Sequence, residues 1–121
     1  MTRPSISVGK MSAEEAVRRI LESQFPPASD KISRLMEKVL PLDPVELTPG
    51  VVLFHGHCDE LETAVILSGT SRDGVALPGI KKKAHALFVL VSPEDKPAQH
   101  LHALTKVAYM AREFQRHGHI G

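Results

Sequence analysis

The apolar residues of this chain change their spacing twice, and the order of those changes leaves few folds open. Ala16, Val17, Ile20 and Leu21 recur at the spacing that places them on one face of a helix. Ser12, with Glu15 three residues on, has the form of a capping box. Phe25-Pro26-Pro27 ends the segment, because a proline pair cannot continue the hydrogen-bond ladder. Ser29 or Asp30 caps a second helix, in which Ile32, Leu35, Met36, Val39 and Leu40 follow the i, i+3, i+4, i+7, i+8 pattern until Pro41 and Pro44 close it. A connection of a few residues predicts that the two helices pack antiparallel.

The spacing then shortens to that of strands. Val51-Val52-Leu53-Phe54 follows Pro49-Gly50, residues 63–67 end at Ser68-Gly69-Thr70-Ser71, and Gly74-Val75-Ala76-Leu77 stops at Pro78-Gly79. Residues 85–91 form the most apolar run, which predicts a central strand. Helical spacing returns after the turn Ser92-Pro93-Glu94-Asp95. Asp95 is the expected cap, Pro97 lies in the first turn, and Leu101, Leu104, Val107, Ala108 and Ala111 form the expected buried stripe. Residues 1–10 read as a flexible lead-in and residues 11–121 as a single domain. Two helices, four strands and one long helix give an α/β or α+β sandwich.

Composition narrows the function. Fifteen basic and fourteen acidic residues nearly cancel, and the one basic run, Lys81-Lys82-Lys83, is the size of a solvated turn. With so little basic surface, no tryptophan and few aromatic residues, the chain has no platform for nucleic acid. No apolar run is long enough to span a bilayer, and residues 1–10 lack the apolar core of a signal peptide. Cys58 is the single cysteine, so no intramolecular disulfide forms, consistent with a reducing, cytoplasmic setting.

The chemistry-bearing residues are histidines, seven in all. His55 stands at the expected end of a strand and is followed by Gly56, which frees the backbone to turn and lets an anionic group approach the ring. His100 lies in the first turn of the last helix, where unpaired N–H groups favour a bound anion. The plain alternative for each is a polar residue ending a strand or starting a helix. His102, two residues further along the helix, points away from His100. His85 reads as a structural histidine, and His117 and His119 as solvated tail residues.

Gly50-Val51-Val52-Leu53-Phe54-His55-Gly56 resembles the Gly-Ile-Ala-Ile-Pro-His-Gly signature of the fructose/mannitol/nitrogen-regulatory type of enzyme IIA domain from the bacterial phosphotransferase system. The run from Val89 to Asp95, followed by His100-Leu101-His102-Ala103-Leu104, resembles the second block of that family, in order and at compatible spacing. The resemblance covers residues 11–114 and implies a mixed sheet of four or more strands flanked by helices. It implies that His55 accepts a phosphoryl group from a histidine-containing phosphocarrier protein, that His100 supports the phosphorylated ring, and that Gly56, His57 and Leu101 line the anion pocket. No cofactor is implied. A homodimer is allowed. Phe54 replaces the family's proline, His57 its basic residue, and Leu47-Thr48-Pro49 its Thr-Gly-Ile-Gly loop. These departures resemble those of divergent domains attached to the cytoplasmic side of inner-membrane transporters, where the domain regulates instead of relaying.

Three rivals remain. His55-x-His57-x-Asp59 resembles half of a hydrolase metal motif, since alternate residues of a strand share a face. Against it, Glu60 stands where that motif has histidine, and the chain is too short for that fold; no metal is expected. Cys58 beside His57 is a candidate redox thiol without a resolving cysteine. The third rival is an interaction module that keeps the scaffold and leaves the histidines idle.

Overall fold

The computed structural model describes residues 5–9, 11–27 and 29–118. Five strands and three helices occur among them: β1 (Ile6–Ser7), α1 (Ala13–Glu22), α2 (Asp30–Val39), β2 (Val45–Thr48), β3 (Val51–His57), β4 (Val65–Leu77), β5 (Ile80–Ser92) and α3 (Pro97–His117). The strands form one mixed sheet in the order β1-β4-β5-β3-β2. β1 with β4 and β3 with β5 run parallel, whereas β2 with β3 and β4 with β5 run antiparallel.

Strand alternation assigns each side of the sheet to a helix layer. Val52, Phe54, Leu87, Val89 and Val91 face α1 and α2 and join Val17, Ile20, Leu21, Ile32, Leu35 and Val39 in one core cluster. Val51, Leu53, Phe88 and Leu90 face α3 and pack with Ala103, Val107 and Ala111 in a second. β5 is central, and Ala86 to Leu90 are fully buried, as a strand covered on both faces must be.

The helix starts follow local chemistry. Ser12 Oγ accepts from Glu15 N at 3.2 Å, but Glu15 reaches forward to Arg19 at 3.2 Å, so the capping box is half formed. Ser29, not Asp30, caps α2, accepting from Ile32 N. Lys96, not Asp95, is the cap residue of α3, and its side chain makes no capping bond. The buried stripe of α3 is Ala103, Val107 and Ala111, with Leu104, Met110 and Phe114 partly buried; Leu101 and Ala108 are exposed. Leu104, Val107 and Ala111 thus hold their expected places, and Ala103 instead of Leu101 begins the stripe.

Three strand expectations are corrected. Residues 63–67 and 74–77 belong to one strand, β4, and the polar stretch between them is a bulge. Thr70 pairs with Ala86 and Val75 with Ala84, so residues 71–74 stand opposite His85 alone. Gly74 absorbs the distortion at φ +85°, and Ser71 Oγ accepts its N–H at 3.0 Å. β2 lacks alternating burial, and its pairing with β3 depends on the turn at Pro49-Gly50. Within the lead-in, Ile6 and Ser7 pair with Gly69 and Thr70, and Val8 is buried. A two-residue strand has no period to read, and Val8 is held by packing over Gly69. Residues 1–4 and Lys10 of that lead-in lie outside the described residues.

Candidate functional site

The site is assembled at the C-terminal ends of the parallel pair β3 and β5. Leu53 and Leu90 face α3, so alternation carries His55, His57 and Ser92 to the same face. The register sets His57 beside Ser92. α3 starts just above, after the turn at Pro93, and brings down His100. The His55 and His100 ring centres are 6.1 Å apart, and those of His57 and His100 are 4.8 Å apart.

Ser92 joins two of these rings. It is fully buried, and its Oγ lies 2.6 Å from His100 Nδ1 and 3.3 Å from His57 Nδ1. His55 Nδ1 is buried with no hydrogen-bond partner. His100 is held below the usual imidazole pKa, first by burial and then by repulsion from His57 and His55.

Gly56 has a packing role. It continues β3 without a positive φ and faces α2, where a Cβ would lie 2.5 Å from the Lys38 carbonyl oxygen. Its missing side chain therefore admits α2, on the side of the sheet away from the histidines. Leu101 is 67% exposed at the head of α3, beside the site. The helix start offers fewer free donors than its position suggested: Pro97 has no N–H, and Gln99 and His100 N–H groups both donate to the Lys96 carbonyl.

The remaining candidates stand apart. Asp59 accepts from Glu94 N at 3.2 Å, and among the described residues no group of three His, Cys, Asp or Glu is placed to hold a metal ion. Cys58 is buried on the α1/α2 side. His102 is exposed, His85 Nδ1 lies 2.9 Å from the Ser71 carbonyl oxygen, and His117 pairs with Glu113; His119 lies outside the described residues. A cleft is lined by Asp59, Leu61, Glu62, Glu94, Asp95 and Lys96, and the site histidines are not part of its lining. No helix among the described residues is long and apolar enough to cross a membrane.

Ser92 was missed by sequence reasoning, which placed it in a turn. Its signal was parity: it is an even-numbered step beyond Phe88 and Leu90 on a strand parallel to the one bearing His57.

The family described as phosphoenolpyruvate-dependent sugar phosphotransferase system, EIIA 2, matches residues 12–116. The chain belongs to this family. Among solved structures, this EIIA domain is similar to the nitrogen regulatory protein IIA-Ntr from Neisseria meningitidis. The identity is 22% and the TM-score 0.68, over 92% of this chain and 81% of that one. The likeness establishes a shared fold. No curated protein matches the sequence.

Proposed function

We propose that this EIIA-type domain accepts a phosphoryl group on His55, with His100 supporting the phosphorylated ring, and serves a bacterial membrane transporter from the cytoplasm. The observation that carries the reading is the pairing of His55 and His100, delivered from separate elements to within 6.1 Å. Because His55 Nδ1 is buried, Nε2 is the nitrogen left to react. Its lone pair forms the new P–N bond as the P–N bond to a carrier imidazole breaks, and the electron pair leaves with that imidazole. His100, held neutral by burial, donates to a phosphoryl oxygen without an extra charge to desolvate. The pocket-lining roles of His57 and Leu101 belong to the same reading, and exposed Leu101 offers an apolar contact to a docked carrier.

A second reading, a regulatory module that has lost phosphotransfer, is favoured by one observation. A nucleophilic Nε2 puts the proton on Nδ1, and that buried donor has no acceptor, a cost of about 1–3 kcal/mol. One experiment separates the readings. The protein is incubated with the general phosphotransferase components and labelled phosphoenolpyruvate, with an authentic enzyme IIA as an internal control. Relay requires an acid-labile, base-stable label on this chain. A labelled control beside an unlabelled chain selects the regulatory module.

A further inference from the structure

The hydroxyl of Ser92 touches two ring nitrogens at once. A neutral hydroxyl has one proton to give, so it donates to one Nδ1 and accepts from the other. The two distances assign the direction. Hydroxyl-donated bonds are the shorter kind, and the contact to His100 Nδ1 is 2.6 Å against 3.3 Å to His57 Nδ1. On that reading Ser92 donates to His100 and accepts from His57. His100 would then carry its proton on Nε2, and His57 would carry its proton on Nδ1 with a lone pair on Nε2.

We propose that Ser92 is a positioning residue that fixes opposite tautomers in His57 and His100, so that His100 presents an N–H donor and His57 a lone-pair acceptor at their Nε2 atoms. The proposal rests on the phosphoryl-accepting reading for its purpose and on the Ser92 geometry for its content. A donor at His100 Nε2 is what a phosphoryl oxygen requires from a neutral imidazole. If His100 carried its proton on Nδ1, its Nε2 would meet the phosphoryl group lone pair to lone pair. Three features hold Ser92 in place. It is fully buried, its carbonyl accepts from Cys58 N at 3.0 Å, and the ladder pairs it with His57. A ring nitrogen is specified by the bond its other nitrogen makes, and the Ser92 hydroxyl makes that bond for both rings.

The tautomers are read directly from two-bond proton–nitrogen correlations of the histidine rings in the 15N-labelled full chain, at a pH where all rings are neutral. His57 is the diagnostic ring, because free imidazole side chains prefer the Nε2–H form and only a specific acceptor reverses that preference. His57 is expected as Nδ1–H in the wild type and in Ser92→Thr, and predominantly as Nε2–H in Ser92→Ala. The backbone amide spectrum of each variant verifies the fold. In the labelling assay, Ser92→Ala is expected to slow phosphoryl uptake by about tenfold through a loosened His100 ring and not a lost donor, since that ring prefers Nε2–H on its own, with Ser92→Thr close to wild type; the size is that seen when a metal-bound histidine loses its outer partner. A wild-type His57 found as Nε2–H, or a His57 tautomer unchanged in folded Ser92→Ala, overturns the proposal. If the tautomers respond as stated while the wild type takes no label, Ser92 holds the rings as inferred and the relay reading alone fails.

Discussion

Replacing Gly56 by alanine separates two reasons for a glycine next to His55. Sequence alone suggested that it opens the approach to the ring; in the fold it admits α2. An added Cβ would lie 2.5 Å from the Lys38 carbonyl oxygen, 3.0 Å from the Lys38 carbonyl carbon and 3.4 Å from Val39 Cγ2. Two of those neighbours are backbone, so no rotamer change relieves them. The last turn of α2 must retreat from the sheet, and that turn carries fully buried Val39. Overpacking of this kind costs about 1–3 kcal/mol. Alanine at an ordinary φ returns about 0.4–1 kcal/mol by restricting the unfolded chain. The net loss is therefore about 1–2 kcal/mol, which for a domain of this size lowers Tm by about 4–8 °C. Urea unfolding followed by circular dichroism measures the same loss as a lower midpoint at unchanged m. Gly9→Ala is the internal control, since a Cβ there meets nothing within 4 Å and the exchange should be neutral or slightly stabilising. A Gly56→Ala protein as stable as the wild type would refute the packing argument and return Gly56 to the approach route.

Three further outcomes follow from the same geometry. His100 titrates below its unfolded value near 6.5, so the unfolded chain binds the extra proton more readily. Its contribution to stability is complete above about pH 6.5 and is lost as pH falls through the depressed folded value; urea midpoints should drop on acidification, and His100→Gln should flatten that drop. Ser12→Ala removes the acceptor of Glu15 N and should cost about 1 kcal/mol by thermal unfolding, because Glu15 is engaged with Arg19 and gives no reciprocal cap. Phe88→Ala, at a fully buried site on the central strand, should cost about 3–5 kcal/mol in the same assay.

The fold was readable where burial has a period. The stripe of α1 is the one read from the sequence, that of α2 matches except that Leu40 is the partly buried C-cap, and the most apolar run is the central strand, β5. It was unreadable where pairing is decided by the partner. Ile6–Ser7 is a strand because β4 has a free edge there, and residues 71–74 are a bulge because β5 continues past them. In α3 the sequence named Leu104, Val107 and Ala111, while Ala103 meets the sheet and Leu101 stays outside. Within the candidate site, His55, His57 and His100 could be named from spacing and resemblance. Ser92 could not, because its role depends on the parallel register that seats it next to His57. Gly56 could be named, but its reason could not, since the Lys38 carbonyl reaches it from a distant part of the chain.

The central claim is that phosphoryl transfer ends on His55. The most direct measurement is phosphoryl uptake from labelled phosphoenolpyruvate through the general phosphotransferase components, in parallel for the wild type and for His55→Ala, His57→Ala and His100→Ala. The account predicts one acid-labile phosphoryl group per wild-type chain and none on His55→Ala. His100→Ala should label more slowly by about 10²–10³, the effect of removing one positioned donor at about 2–4 kcal/mol. His57→Ala should keep the label on His55. A His55→Ala protein that labels as fast as the wild type would contradict the account, as would a wild-type chain left unlabelled beside a labelled control.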